Sequence, residues 1–316
     1  MTQAALKLLQ FAATLLALSM AVFFLIGLMP GDPVDLLAAA SPHMTPDDAA
    51  RLKSLYGLDR PIWQRYLHWL GAALSGDFGY SRLFNLPVTD LILPKLGLSI
   101  LFMGVSLTVT LGASIPLSVL AARYAHRWPD KLIYMTALGG ISMPPFWTGL
   151  LLIVVFAVHT GWLPASASLS GNIAENAKSL ILPVATLSLS GIAVYIRHMR
   201  SGLIAALQQE YIKTARAKGC SEARILWHHA LRATLVPMVT LLMLDMGTLV
   251  GGAVTVETIF AFPGMGKLLF DAVMGNDYNL ALCGFLVLAC GIMLANLAAD
   301  LLYPLIDPRV KRGQGA

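Results

Sequence analysis

The stretch EYIKTARAKGCSEARILWHHALR, Glu210 to Arg232, decides how this chain is read. Five of its residues are lysine or arginine, two are glutamate and two are histidine. It interrupts a 316-residue chain that is 57% hydrophobic and 12% charged, with a mean hydropathy of +0.71. Soluble domains carry roughly 25% charged residues, so about half the usual charge is missing. That balance excludes an ordinary soluble domain and indicates a polytopic membrane protein. The basic stretch then belongs outside the bilayer and the apolar runs on either side of it belong inside.

A spanning helix needs about 20 mostly apolar residues. Six runs meet or approach that length: Leu8–Met29, Leu96–Ala122, Leu132–Val158, Ser179–Ile196, Ala233–Val256 and Asn279–Ala299. Asp245 is the one charge inside them. The expected fold is an all-α integral membrane protein with six transmembrane helices. The expected division is a first helix at 1–29, an extracytoplasmic helical loop at 30–95 and a five-helix core at 96–316. The first run, longer than the usual 7–15 residues of a signal-peptide core and broken by MPGDP at 29–33, reads as a retained helix. Cys220, Cys283 and Cys290 form no CxxC pair and read as small apolar side chains.

Charge distribution sets the orientation. With the N-terminus inside, cytoplasmic segments hold 14 of the 22 lysines and arginines. Most acids fall on the other side. Both termini are therefore expected in the cytoplasm, in a multi-pass membrane chain. The net charge of +5 follows this topology and implies membrane lipid, with no nucleic acid partner.

In the loop at 30–95, TPDDAARLKSLYG places Thr45 as N-cap, Pro46 at the first helical position and two acids in the first turn. RPIWQRYLHWLGAAL repeats a helical apolar pattern through Ile62, Tyr66, Trp69, Leu70 and Ala73. Pro144 and Pro145 fall mid-membrane and should kink the third run, either as a bend lining a path or as a packing kink. Pro183 and Pro237 are read as lying near the starts of their helices, where proline is tolerated. No internal repeat of the kind common in secondary transporters is evident.

Within the opening stretch, Tyr211, Ile212, Ala215, Cys220, Ala223, Leu226, Trp227 and Ala230 fall near one helical face, with the bases over much of the rest. Gly219 supplies a turn between two short helices. Such an element either lies on anionic headgroups or docks into a groove of a partner protein. No GxxxxGK[ST] loop is present, so the chain lacks the usual phosphate cradle of an ATPase. No catalytic constellation is evident. His228 and His229 are adjacent, about 100° apart on a helix, and make a poor metal pair.

The order EYIKTARAKG, a spacer, then HALRATLVP resembles the cytoplasmic EAA loop of binding-protein-dependent ABC importers. Where the generic loop has a proline this chain has Arg232, with Pro237 beyond it, as in the peptide/nickel branch. MPGDPV, YGLDRPIWQRYLHWL, GDFGYS, GGAVTVETIFAFPGMGKLL and DLLYPLIDPRVKR extend the likeness along nearly the whole chain. The chain thus resembles the B-type permease of a dipeptide, oligopeptide, glutathione or nickel importer. The resemblance implies a type I ABC importer permease fold with a coupling loop at 203–232, in a bacterial cytoplasmic (inner) membrane. It also implies a second, C-type permease, two ABC ATPase subunits that use ATP and Mg, and an extracytoplasmic substrate-binding protein. No cofactor is expected on this chain, and it is a pore subunit, not an enzyme. The coupling residues carried over are Glu210, Tyr211, Thr214, Ala215, Arg216, Ala217, Gly219, His229 and Arg232.

An ion-coupled secondary transporter is the competing class, but Asp245 in the fifth run and Asp300 at the end of the sixth are too few acids to carry the coupling. Asp245, with Ser142 and Pro144 beside the double proline, is a candidate for the translocation path; it either meets a cationic or metal-chelate substrate or bonds a neighbouring helix. Glu257 and Asp277 bracket an outer loop, where they form a gate or binding-protein dock or else cap helices. Asn296 and Asp300, four apart, read as a structural pair. The short link Thr160–Lys178 resembles nickel and glutathione members more than dipeptide members.

Overall fold

A computed structural model of the protein describes residues 3–28, 34, 45–55, 59–169 and 172–306. The described residues are helical and loop segments with one isolated bridge, Tyr80 to Pro87. The helices are α1 (Gln3–Gly27), α2 (Pro46–Leu55), α3 (Ile62–Leu74), α4 (Val88–Arg123), α5 (Trp128–Ser142) and α6 (Pro145–Leu152). They continue with α7 (Ile173–Leu207), α8 (Glu210–Ala217), α9 (Glu222–Arg224), α10 (Leu231–Ile259), α11 (Met265–Met274) and α12 (Tyr278–Ile306). Wider π-helical turns follow α6, at Ile153–His159, and α9, at Ile225–Ala230.

Among the described residues four helical stretches are long and apolar enough to cross a membrane: Leu9–Gly27, Val88–Arg123, Ile173–Leu207 and Tyr278–Ala298. A fifth appears if α5 and the α6 segment to His159, bent by 103°, form one broken span. This corrects the single expected run Leu132–Val158. Met143 leaves the helix in an extended conformation and Pro144 caps α6, so the double proline breaks the helix instead of only kinking it. The expected run at Ala233–Val256 lies within α10, where the side chains of residues 243–252 are outside the described set.

The proline placements also change. α7 starts at Ile173, upstream of the apolar run, because Asn172 and Glu175 form a reciprocal capping box at 3.0 and 3.2 Å. Pro183 is therefore interior to α7, and Pro237 is likewise interior to α10. The polar residues ahead of Leu182 had hidden that start. At 35 residues, α7 is about 52 Å long, against a hydrocarbon core of about 30 Å. One or both of its ends must stand outside the bilayer.

The chain divides into two compact units, residues 1–96 with 268–293 and residues 97–267 with 294–316. In the first, α3 packs on α1. Phe23 meets Tyr66 edge-on at 5.5 Å, Trp69 stacks on Tyr66 at 6.3 Å, and the Tyr66 hydroxyl is 2.9 Å from Ser19 Oγ. Thr45 caps α2 as expected, with Asp48 N–H donating to its hydroxyl at 3.2 Å and Asp48 Oδ2 accepting the Thr45 N–H at 3.1 Å. MPGDPV, apart from Val34, and the chain beyond Ile306 lie outside the described residues.

In the second unit α7 is the central element, packed against α5, α6 and α10. One buried cluster joins Leu182, Leu187, Val256, Phe260 and Phe262 with Phe102 of α4. Another joins Tyr195, Met199 and Leu203 of α7 with Val119, Leu226, Ala230 and Leu231. Small residues allow close approach: a Cβ at Gly191 would lie 2.9 Å from Thr110 of α4. Ser188 Oγ donates across that contact to the Ser106 carbonyl at 2.9 Å.

Candidate functional site: the basic loop and its supports

The basic stretch folds as two short helical pieces hinged at Gly219. α8 ends at Ala217, with Lys218 as C-cap. Gly219 then takes φ +79°. Its N–H donates to the Arg216 carbonyl at 2.9 Å, and the Cys220 N–H donates to the Ala215 carbonyl at 3.1 Å. These two bonds make a complete Schellman motif. Cys220 packs against Ala215 beneath it, supplying the apolar contact that accompanies such caps. Ser221 Oγ accepts the Arg224 N–H at 3.4 Å and starts α9.

The two pieces are held together from both sides. Ile212 and Ala215 of α8 are buried with Ile225, and Leu207 packs on them. Outside, Arg216 Nε donates to Glu222 Oε1 at 2.8 Å and Nη2 to Oε2 at 3.2 Å, bridging the Gly219 turn with a two-pronged ion pair. That guanidinium holds the Glu222 carboxyl below the usual glutamate range, and Arg216 is pushed up in turn. Lys213 Nζ donates to Glu210 Oε1 at 2.7 Å.

The exposed side carries most of the expected residues. Glu210, Tyr211, Thr214, Arg216, Ala217 and Gly219 are exposed, Ala215 is buried beneath them, His229 is half-buried, and Arg232 is exposed on the first turn of α10. Tyr211 and Trp227, which periodicity places near one face with the other apolar residues, are 46% and 51% exposed. Ala223, four residues before Trp227, is exposed as well, so this side of the second piece faces outward together. The flanks are fixed: Leu226 and Ala230 pack against Leu203 and Ala206 at the end of α7. The loop therefore sits rigidly on the ends of α7 and α10.

Glu257 and Asp277 are 0% and 1% exposed. Glu257 accepts the Ser99 hydroxyl at 2.5 Å, the Gly266 N–H at 2.7 Å and the Lys267 N–H at 3.1 Å, closing the N-terminus of α11. Gly264 and Gly266 permit this, since a Cβ at either would collide with that carboxylate. Asp277 accepts the Ser81 hydroxyl at 2.5 Å, the Leu83 N–H at 3.1 Å and the Leu280 N–H at 3.3 Å, capping α12. Both carboxylates have the geometry of helix caps, one of the roles the sequence leaves open.

Ser142 and Pro144 are exposed at the break between α5 and α6, with the Ser142 hydroxyl donating to the Leu138 carbonyl at 3.0 Å. The side chains of Asp245 and Asp300 lie outside the described residues. Sequence reading missed Asp130, 1% exposed on α5, which pairs through both oxygens with Arg200 of α7. Asp130 also accepts the His126 N–H at 2.7 Å, and the Arg200 guanidinium lies 5.2 Å from the Tyr134 ring centre. Among the described residues no cluster of three or more His, Cys, Asp or Glu could hold a metal ion.

The sequence pattern of the binding-protein-dependent transport system inner membrane component matches residues 114–312, which include the whole basic loop. The chain belongs to that family. The pattern of the family's N-terminal membrane component matches residues 4–100. Among relatives of this permease family, the oligopeptide transport system permease protein AppB of Bacillus subtilis is 37% identical over 302 residues, covering 94% of this chain and 95% of its own. The dipeptide transport system permease protein DppB of Escherichia coli is 34% identical over 323 residues, covering 94% and 95%. The glutathione transport system permease protein GsiC of Escherichia coli is 36% identical over 309 residues, covering 96% and 97%. Family membership makes the chain a membrane permease component of an ABC transport system, working with other subunits and not itself the ATPase.

Proposed function

We propose that this chain is the B-type permease of an ATP-driven importer that carries small peptides inward. The end-to-end likeness to peptide and glutathione permeases carries that reading. A cytoplasmic ATPase, one for each of two permease chains, takes the basic loop in a surface groove. Six spans, cytoplasmic termini and an outward-facing loop at 30–95 complete the arrangement, and a soluble binding protein delivers the peptide.

The rigid seating of the loop supports a mechanical role. Exposed Tyr211 and Trp227 are the kind of aromatic anchors that dominate docking interfaces. Force applied to α8 passes through Ile212 and Ile225 to the ends of α7 and α10. Because α7 is a single long helix, displacement at one end reaches the other as a rigid-body swing. The α5–α6 break gives that swing a compliant neighbour, and Asp130–Arg200 ties α5 to it. Uptake of labelled peptides into proteoliposomes, with this chain, its partner permease, the ATPases and the binding protein, tests the reading. ATP-dependent accumulation that needs the binding protein is expected; accumulation driven by an ion gradient without ATP would overturn it.

A further inference from the structure

The first unit contains a cavity of about 830 Å³ to which the proposed function assigns no role. Its walls come from the end of α1, from α3, from the 77–85 loop and from the residues that open α12. Three arginines line it, Arg60, Arg65 and Arg82, with His68 beside them. Arg60 and Arg65 form no ion pair with any described residue. Arg82 spends Nη2 on the Gly275 carbonyl, but its Nε is buried without an acceptor among the described residues. The indole N–H of Trp69, also in the lining, is likewise buried without one. Buried donors are nearly always satisfied, so the described residues leave this wall short of acceptors.

Two acids share the lining. Asp277 is used up in capping α12. Asp77 gives one oxygen to the Gly79 N–H at 2.9 Å, and its other oxygen accepts no bond from a described residue. The cavity thus offers a group of unpaired cations and donors and one half-used carboxylate. Its volume falls in the 300–1,000 Å³ range of small-ligand sites.

We propose that this cavity is a subsite for a short peptide, with its C-terminal carboxylate taken by Arg60, Arg65, Arg82 and the Trp69 N–H, and its ammonium by Asp77. The proposal rests on the peptide-import reading and adds to it a contact between substrate and the permease's N-terminal unit. Planar guanidinium groups match a carboxylate in two-pronged fashion, and the Trp69 ring is already fixed by stacking on Tyr66. A bound zwitterion leaves the cavity's net charge unchanged, whereas a peptide blocked at either end does not.

The test is equilibrium binding of radiolabelled trialanine to the full-length chain in detergent micelles, without a binding protein. Trialanine amide and N-acetyl-trialanine serve as competitors. Each blocked form should compete about tenfold or more weakly than trialanine, as expected for losing hydrogen bonds to a charged group. Arg65→Gln should weaken trialanine binding and abolish the preference for the acid over the amide. Asp77→Asn should abolish the preference for the free over the acetylated amine. Trp69→Phe, which keeps a ring against Tyr66, should weaken trialanine alone, and an unchanged thermal unfolding midpoint in each variant separates lost contacts from lost fold. Equal competition by all three peptides, variants that keep the wild-type preferences, or co-purified phospholipid filling the site in place of peptide would each overturn the subsite. Uptake by the assembled transporter separates the two claims: uptake without cavity binding removes only the subsite, and absence of any peptide uptake removes the import reading.

Discussion

Gly219 is where a single atom should separate folding from coupling. Its φ of +79° lies in the left-handed region, and both Schellman bonds depend on it. A Cβ there would meet no atom within 4 Å, so crowding contributes nothing and the cost is backbone conformation alone. For alanine that cost is about 1–2 kcal/mol, and a β-branched residue costs more. Asparagine tolerates the conformation better. A penalty of about 1.4 kcal/mol is tenfold in an equilibrium constant, enough to detach α8 from α9 locally while leaving the α7 and α10 packing intact. The assay pairs peptide uptake with retention of the ATPase subunits on affinity-purified permease. Gly219→Val should keep membrane insertion but lose most of both, Gly219→Ala should fall between, and Gly219→Asn should recover toward wild type. Full ATPase retention and normal uptake in Gly219→Val would refute the reasoning, because the hinge geometry would then be irrelevant to docking.

Glu257→Ala should remove the acceptor of the buried Gly266 N–H and of the Ser99 hydroxyl, at about 1–3 kcal/mol each, and a thermal-shift measurement in detergent should show a lower midpoint. The Arg216–Glu222 pair should lend the loop about 0.5 kcal/mol as an exposed ion pair. Because the folded Glu222 carboxyl is depressed, that contribution is full above the unfolded glutamate value of about 4.3 and fades as pH falls through the folded one; hydrogen exchange across 210–224 should show this, and Glu222→Gln should remove the pH dependence. In a cysteine-free background, a membrane-impermeant thiol reagent applied to intact cells should label Ser54→Cys and not Arg224→Cys; the reverse would invert the topology and remove the cytoplasmic docking argument.

The legible parts of this chain were those set by local chemistry. Thr45 and Gly219 announce a cap and a turn through a side chain or the lack of one, and the apolar runs at α1, α4 and α12 follow from the solvent they must match. Where the sequence left roles open, the deciding partner was non-local. Periodicity puts Tyr211 and Trp227 near one face with the buried apolar residues but does not say which of that face meets α7 and which faces outward. Glu257 and Asp277 stay open between a gate or dock and helix caps because their partners, Ser99 and Ser81, lie 158 and 196 residues away in sequence.

Asp130 makes the same point with consequences for function. It stands one residue from Lys131, in a segment whose charges suit a cytoplasmic loop, and nothing local marks it as buried. Its partner Arg200 lies 70 residues on, seven residues before the end of α7. Stripping water from both charges is costly, and the two-pronged geometry with the His126 N–H offsets much of that cost. Such a pair adds little net stability, but it admits few alternative arrangements of α5 against α7. It sits where α7 approaches the basic loop. Under the proposed mechanism, a lever that transmits a displacement from α8 needs its neighbours held in register more than it needs extra stability. Buried charge between α5 and α7 meets that need in a way that apolar packing, tolerant of sliding, does not.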